Sequence, residues 1–381
     1  MKILYHHRIA SKDGQYVHVE EIIKSLRVHG HEVIVVAPAI AENKDFGSDG
    51  GWVSSLRNLL PQFTAELLEF GYCFYAFIKL CIAIIKEKPD CIYERYNLFL
   101  PSGMWAAKLF NKKIILEVNA PLLEERSKYS GLSLKGLARW SQRYCWKNAD
   151  KVLPVTDVLA DYIRNVGVEE VKIDVIANGI NVDEFINKEV AKPELNTGNK
   201  LVLGFVGFCR EWHGLNKVID LIAQPGYEHL FFVVVGEGPV RGELIEQASA
   251  LNVKDRFHFT GLVPRSEMPK WLEIINIALQ PSVVPYASPL KMLEYMAKGK
   301  AIVAPDTANI KELLVDEENA LLFEEDNIDS LCQKIKLLVD DEALRSKVEQ
   351  NAKQSIFDNQ LTWDNNAKRI VKHFTVLCGS H

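Results

Sequence analysis

The sequence lacks the basic excess that marks a general nucleic-acid binder. Its 381 residues contain 45 Lys plus Arg against 50 Asp plus Glu, a net charge of −5. Residues 1–185 are balanced at 23 against 23, and the remainder carries 22 against 27. We therefore expect no nucleic-acid partner. With 48% hydrophobic and 25% charged residues the chain is globular, and its length predicts two domains.

Paired cysteines are also missing. The seven cysteines are odd in number, scattered, and show none of the spacing typical of metal sites, which favours a reducing compartment. Met1–Tyr5 runs directly into a strand-like segment with charged and polar residues behind it, unlike a secretory signal. We expect a cytoplasmic protein.

One long apolar run, Phe70–Ile85, contains Lys79 as its only charged residue and stops at Lys86–Lys88. It is too short to predict a membrane span with certainty. The first interpretation is a buried helix of the first domain, and the alternative is a face exposed for contact with membrane or lipid.

The pattern that is present, in both halves, is a repeated strand, loop and helix. The predicted strands are Lys2–Tyr5, His31–Pro38, Cys91–Tyr93, Lys113–Val118, Lys151–Val155, Leu201–Gly207, Leu230–Gly236, Phe257–Thr260, Ile277–Gln280, Ala301–Ala304 and Ala320–Phe323. Short apolar strands separated by helices predict two doubly wound α/β sheets, which bind ligands beyond the carboxyl ends of their strands. The turn at Asn178-Gly179 and the polar stretch Asn187–Lys200 predict domains of 1–185 and 186–362, with 363–381 packed back on the first.

The stretch Ser282–Pro305 carries the most chemical information. Ser288 is the expected N-cap of a short helix and Pro289 its first residue. The free N–H groups of a helix start attract anions, and Lys291 adds a full charge there. Glu294, one turn on, could accept hydrogen bonds from the paired hydroxyls of a ribose. The alternative is an amphipathic helix with solvated Lys and Glu.

Three further loops follow predicted strands of the second half. Gly207–Gly214 offers a glycine for close approach, with Arg210 and His213 as donors to phosphate. Gly236–Pro239 is typical of a tight structural turn. Thr260–Pro264 could present main-chain groups to a base. Together the four junctions supply what a sugar nucleotide needs.

In this order and spacing the junctions resemble the donor domain of GT-B glycosyltransferases, specifically the large retaining group known as glycosyltransferase family 4. The resemblance covers nearly the whole chain. It extends to Asp13-Gly14-Gln15, Ala149-Asp150-Lys151, Asn178–Phe185 and Asn309–Leu314. It implies two Rossmann-like domains facing a cleft, a nucleotide diphosphate sugar on the C-terminal domain, an acceptor approaching from the N-terminal domain, and no metal or cofactor.

The sequence also departs from the family. Many members carry two glutamates separated by seven residues at the anion-binding helix; here Glu294 is the second, and Tyr286 occupies the position of the first. In the phosphate loop Phe208 and His213 stand where Arg and Lys are common, and Arg210 is the expected substitute. On the acceptor side Asn119 stands where a His is frequent.

The resemblance implies a role for each candidate residue. The expected catalytic residues are Arg210, Lys291, Glu117 and Asn119, and the expected substrate contacts are Gly14, Gly207, His213, Gly236, Leu262, Tyr286, Ser288, Pro289, Leu290 and Glu294. We expect Arg210, His213, Lys291 and the amides of Ser288–Leu290 to bind the diphosphate. Glu294 is expected to bind the ribose, and Leu262 the base. Retention would follow from same-face attack, with the leaving phosphate taking the acceptor proton.

Two other functions stay open. One is a protein that binds or senses a nucleotide sugar without turnover, and the other is a GT-B epimerase acting on the nucleotide sugar itself. The expected partners of a transferase are a UDP- or GDP-linked donor and a saccharide or lipid-linked acceptor. Surface polysaccharide or glycoconjugate synthesis at the inner face of the membrane is the expected setting.

Overall fold

The computed structural model describes residues 1–9, 14–38, 60–129 and 131–379. Within them the chain divides into two compact units. The first unit comprises 1–178, 286–288 and 363–381, and the second comprises 179–285 and 289–362. Asp13 of the predicted first loop lies outside the described residues.

The first unit is built on a parallel sheet of five strands. The strands are β1 Lys2–His6, β2 Glu32–Val36, β3 Cys91–Arg95, β4 Lys113–Val118 and β5 Lys151–Pro154. Their order is β2-β1-β3-β4-β5. Every predicted strand is present with its ends within two residues, because apolar runs buried on both sheet faces leave a clear signal. The carboxyl ends of the strands meet at one edge.

Helices connect these strands. They are α1 Gly14–Val28, α2 Gln62–Glu87, α3 Ser102–Leu109, α4 Leu122–Tyr129, α5 Lys135–Asn148 and α6 Asp157–Asn165. The C-terminal helix Trp363–Cys378 also packs on the first unit. Asn366 donates to the carbonyl of Ala177 at 2.8 Å, and Asp174 accepts from Arg369 at 2.9 Å.

The apolar run predicted to be buried lies in α2, and that prediction was only half right. One face of α2 is buried through Cys73, Ala76, Leu80 and Ile84. The other face is exposed, and only 22% of the most apolar window of the helix is buried. Among the described residues α2 is the one helix long and apolar enough to cross a membrane.

The second unit is built on a parallel sheet of six strands in the order β11-β10-β9-β6-β7-β8. The strands are β6 Leu201–Val206, β7 Leu230–Val235, β8 Phe257–Phe259, β9 Ile277–Leu279, β10 Ala301–Pro305 and β11 Leu321–Phe323. The helices are α7 Leu215–Ile222, α8 Arg241–Ala250, α9 Met268–Ile274, α10 Leu290–Ala297, α11 Ala308–Lys311, α12 Ile328–Asp340 and α13 Glu342–Asp358. Both units are therefore doubly wound α/β sheets, which confirms the predicted fold class.

Candidate active site

Lys291 lies in the first turn of α10, beside the end of β6. Its ammonium is 4.9 Å from the centre of the Phe205 ring, and a Cβ at Gly207 would come within 2.9 Å of its nitrogen. The glycine is therefore what allows the ammonium to lie against the end of the strand. α10 ends as predicted, because Gly299 adopts φ +58° directly after its last turn.

No carboxylate of the described ranges lies within ion-pair distance of the Lys291 ammonium. Burial lowers the pKa of Lys291 to about 8, and the nearby Glu294 carboxylate offsets only part of this effect. A desolvated ammonium at the positive end of a helix favours a bound anion.

Glu294 lies one turn further along α10 and is 4% exposed. Arg265 donates from Nη1 to its Oε1 at 2.8 Å, and the same guanidinium lies 5.6 Å from the ring centre of Phe185. Burial raises the pKa of Glu294, and Arg265 opposes the shift. Oε1 is engaged by the arginine, while Oε2 accepts no hydrogen bond from the part of the chain that the structure describes. One carboxylate oxygen is thus available to a ligand.

The loop after β6 presents Arg210 on a pair of aromatic rings. The guanidinium lies 4.6 Å from the ring centre of Phe208 and 5.5 Å from that of Trp212. The backbone N–H of Arg210 donates to Nδ1 of His213 at 3.0 Å. Burial, together with Lys291 and Arg210, lowers the pKa of His213 to about 4. His213 is therefore neutral near pH 7, and its Nε2–H is the donor it can offer a phosphate.

Glycines let the loops after β6 and β7 pack backbone against backbone. Gly236 has φ +149°, and a Cβ there would lie 2.0 Å from the carbonyl oxygen of Gly207. A Cβ at Gly238 would lie 2.1 Å from the carbonyl oxygen of Cys209, whose N–H donates to Glu237 at 2.8 Å. These contacts account for the tight turn predicted at Gly236–Pro239.

Leu262 follows β8 in a loop that is tied to the same turn. The Thr260 hydroxyl accepts from the N–H of Gly236 at 3.3 Å and donates to the carbonyl of Gly261 at 2.7 Å. The Leu262 side chain is 63% exposed. Its expected contact with a base stays a prediction.

The predicted capping of α10 was wrong by one residue. The N-cap is Pro289, and no side chain caps the helix. The hydroxyl of Ser288 accepts instead from the N–H of Asn178 at 3.1 Å, and its carbonyl accepts from Asn178 Nδ2 at 2.5 Å. Proline has no N–H, so the backbone donors at the helix start are those of Leu290 and Lys291 rather than Pro289.

Tyr286 belongs to the first unit. Its carbonyl accepts from Thr156 Oγ1 at 2.9 Å, and its ring packs on the apolar core of that unit. Burial raises its pKa, and the nearby Glu125 carboxylate adds to the shift. Tyr286, which stands where many family members have a glutamate, is thus held by contacts within the first unit. Its contact with substrate stays a prediction.

Glu117, at the end of β4, is the centre of a buried polar network in the first unit. Its Oε2 accepts from the Tyr93 hydroxyl at 2.7 Å, and its Oε1 accepts from Arg95 Nη1 at 2.7 Å. His18 Nε2 lies 2.9 Å from Oε2. Burial alone would raise the pKa of Glu117, but His18, Arg95 and Tyr93 outweigh it and hold the pKa at about 2. Glu117 is therefore an anion that orders its neighbours.

Two other predicted residues of this unit lie near helix and strand ends. The amide oxygen of Asn119, just after β4, is buried and has no hydrogen-bond partner within the described ranges. A buried acceptor without a partner, such as this oxygen, is typical of a position where a ligand or a water molecule binds. Gly14 is the first residue of α1.

The chain matches two family descriptions that together span most of its length. Residues 12–184 match Glycosyltransferase Family 4, and residues 186–355 match Glycosyl transferases group 1. The chain belongs to the group 1 glycosyltransferases. The GT-B fold predicted from the sequence is confirmed by solved structures. Anabaena HepE, solved in complex with UDP, aligns with a TM-score of 0.74 at 18% identity over 99% of this chain and 100% of its own.

Two relatives of this glycosyltransferase are similar to it in sequence, and the name of one of them states its substrate. An uncharacterized glycosyltransferase of Methanocaldococcus jannaschii is 23% identical over 95% of this chain and 94% of its own. A protein of Campylobacter jejuni is 30% identical over 60% of each chain. It is named N,N'-diacetylbacillosaminyl-diphospho-undecaprenol alpha-1,3-N-acetylgalactosaminyltransferase.

The glycosyltransferase also contains polar groups that the sequence reasoning missed. His6 Nδ1 lies 2.6 Å from Glu94 Oε2, and both residues are buried at the ends of β1 and β3. Burial, with His6 and Arg95, lowers the pKa of the neighbouring His7 to about 4. A signal for these residues was present in the sequence, because β1, β3 and β4 all have polar residues at their carboxyl ends. Nothing in the sequence pattern pointed to Arg265.

Proposed function

We propose that this glycosyltransferase moves a sugar from a UDP- or GDP-linked donor to a hydroxyl of a saccharide or lipid-linked acceptor, with retention of configuration. The observation that carries the proposal is the buried ammonium of Lys291, which is held at the start of α10 against Gly207 and has no carboxylate of the described residues within ion-pair distance. A desolvated cation without a carboxylate partner is unfavourable until an anion arrives. A diphosphate supplies that anion.

In the proposed reaction the bond between the sugar C1 and the β-phosphate oxygen breaks, and a bond from C1 to the acceptor oxygen forms. The Lys291 ammonium and the N–H groups at the start of α10 stabilise the charge that develops on the leaving phosphate. Arg210 adds a second cation. The acceptor attacks C1 on the face that the phosphate leaves, so no carboxylate nucleophile is required, and the acceptor proton passes to the leaving phosphate. Lys291 and Arg210 supply the positive charge that a divalent metal would otherwise provide.

Glu294 binds the ribose in this proposal. Its free carboxylate oxygen accepts from the ribose hydroxyls, while Arg265 holds the other oxygen in place. Leu262 contacts the base, and His213 donates to a phosphate oxygen from Nε2. Gly207 and Gly236 permit the close backbone approach on which the donor loops depend.

On the first unit, Asn119 binds the acceptor hydroxyl through its orphaned amide oxygen. Glu117 acts through Arg95 and His18 by fixing their side chains at the ends of β3 and in α1. Gly14 and Tyr286 are proposed as further substrate contacts. The relative from Campylobacter jejuni is named for a diphospho-undecaprenol-linked substrate, which supports a lipid-linked acceptor and a role at the cytoplasmic face of a membrane.

A turnover assay tests the proposal. Purified protein is incubated with each UDP- and GDP-linked sugar, first alone and then with saccharide acceptors, and release of the nucleoside diphosphate is measured. Transfer or slow donor hydrolysis is expected with one nucleotide class, and NMR of the product gives its anomeric configuration. Tight binding of UDP or GDP with no turnover would favour a sensor. An altered nucleotide sugar formed without acceptor would indicate an epimerase.

A further inference from the structure

The outer face of α2 is a continuous apolar stripe. Its exposed side chains recur at helical spacing and are between 49% and 63% exposed: Phe63, Leu67, Phe74, Ile78, Ile82 and Ile85. At 1.5 Å per residue the stripe is about 33 Å long. Isolated exposed apolar residues are ordinary, but a patch of this length marks an interaction surface.

The opposite face of α2 packs in the first unit. The stripe can therefore contact a partner while the helix keeps its place in the fold. Glu66 is 3% exposed, and its carboxylate accepts from the N–H groups of Ser133 and Leu134, the closest contact at 2.6 Å. Glu69 accepts from Arg8 at 2.9 Å and from Arg126 at 2.7 Å. Crossing a bilayer would carry both carboxylates away from these partners, so a helix lying in the interface is favoured over a span.

The neighbouring helix α5 supplies positive charge. From Leu134 to Asn148 it has no Asp or Glu, and it carries four cations at every fourth position: Lys135, Arg139 and Arg143, which are exposed, and Lys147, which is partly buried. None of these four cations lies within ion-pair distance of a carboxylate in the described ranges. α2 adds one more cation, Lys79, in an apolar run that contains no acid from Phe70 to Ile85. A basic amphipathic helix of this kind is typical of contact with an anionic membrane surface.

Aromatic side chains join the two helices into one surface. The Trp140 ring on α5 lies 6.2 Å from that of Phe70 on α2, and it stacks on Tyr144 at 5.4 Å. Phe74 lies 5.7 Å from Trp105 of α3. Trp and Tyr side chains concentrate at the boundary between lipid and water, where their rings are apolar and their N–H or O–H groups are hydrated.

We propose that the exposed stripe of α2 and the cationic side of α5, together the α2–α5 surface, dock the protein on an anionic lipid bilayer. The apolar stripe enters the boundary between headgroups and acyl chains, and Arg139 and Arg143 contact the lipid phosphates. This inference deepens the proposed function, because it names the membrane that would carry a lipid-linked acceptor. The binding itself does not depend on turnover.

Co-sedimentation with vesicles tests the surface. The full-length protein is mixed with vesicles of phosphatidylglycerol and phosphatidylethanolamine, and separately with phosphatidylcholine alone. We expect binding to the anionic vesicles that weakens as salt is added. Arg139→Glu with Arg143→Glu should weaken it at least tenfold, because each cation near an anionic surface contributes a factor of about five. Ile78→Ser with Ile82→Ser should weaken it to a similar degree.

Matched control variants show whether binding depends on the α2–α5 surface or on exposed charged and apolar residues anywhere on the protein. Val171 and Val376 are 76% and 74% exposed elsewhere on the first unit, and their serine variants should bind vesicles like the wild type. Lys188→Glu with Lys254→Glu, on the second unit, should do the same. All variants should keep the unfolding temperature and the UDP or GDP affinity of the wild type, since none of these residues is assigned to the nucleotide site.

Three results would overturn the inference: no binding of the wild type to anionic vesicles, equal binding to phosphatidylcholine, or unchanged binding of the Arg139→Glu, Arg143→Glu variant. A dimer that Ile78→Ser with Ile82→Ser dissociates, in a protein that ignores vesicles, would instead make the stripe a contact between copies. Vesicle binding without nucleotide binding would leave the docking surface standing and refute the proposed function.

Discussion

Replacing Lys291 with methionine tests the nucleotide site with little change in shape. Methionine keeps an unbranched side chain packed on Phe205 but removes the ammonium that lies against Gly207. A hydrogen bond to a charged group contributes about 1.5–3 kcal/mol. The dissociation constant for UDP or GDP, whichever nucleotide the wild type binds, should therefore rise by about tenfold to about a hundredfold.

The same variant should be more stable than the wild type without ligand. The pKa of Lys291 is about 8 in the folded protein, below the ordinary value of 10.5. The charged form is therefore less favourable in the folded state than in the unfolded chain, and this penalty is fully present below about pH 8. At pH 7, Lys291→Met should raise the unfolding temperature of the free protein and abolish most of the rise that the nucleotide causes in the wild type.

Calorimetric titration and thermal unfolding measure both effects on one preparation. Lys254→Met serves as the matched control, because Lys254 is an exposed lysine of the same unit. It should change neither the affinity nor the unfolding temperature. If Lys291→Met binds the nucleotide as tightly as the wild type, the reasoning about the ammonium is refuted. A lower unfolding temperature would show that the lysine stabilises the fold rather than the ligand.

Three further predictions follow from the same geometry. Glu294→Gln should weaken nucleoside diphosphate binding at least about tenfold but leave pyrophosphate binding unchanged, and equal losses for both ligands in calorimetry would contradict a ribose contact. Because the ammonium of Lys291 contributes to phosphate binding, wild-type affinity should fall as the pH rises above about 8 and level off near the affinity of Lys291→Met. Lys291→Arg should flatten this profile, and a flat wild-type profile would contradict the assignment. Glu117→Gln leaves Arg95 buried without its counter-charge and should lower the free energy of unfolding by about 3–5 kcal/mol in urea titrations; a loss below about 1 kcal/mol would contradict the network.

The sheets could be predicted from the sequence because their signal is local. A strand buried on both faces, such as Leu230–Val235, is a continuous run of apolar residues whatever it packs against. The exposure of α2 was not predictable in the same way. Its residues are apolar around most of the helix, so composition alone could not say which side would find partners in the fold.

The candidate site was predictable where one segment carries its own chemistry. Lys291 and Glu294 stand one turn apart on a single helix, and Gly299 ends that helix. The first residue of α10 was not predictable from the sequence. The hydroxyl of Ser288, the expected cap, accepts a hydrogen bond from the N–H of Asn178, which is 110 positions away.

The network of the first unit depends on tertiary contacts from several elements. The sequence marked Glu117 as a candidate catalytic residue, but it could not show that His18 of α1, together with Tyr93 and Arg95 of β3, sets its charge state. Arg265 reaches Glu294 from a position 29 residues away, and no sequence spacing encodes that contact.

The most direct test of the central claim is a crystal structure of the protein soaked with a nucleoside diphosphate. We predict that a phosphate oxygen lies within hydrogen-bond distance of Lys291 Nζ and of the N–H groups at the start of α10, with the ribose hydroxyls on Glu294. Full occupancy of the ligand elsewhere on the protein, with the space beside Gly207 and Lys291 empty, would contradict the claim.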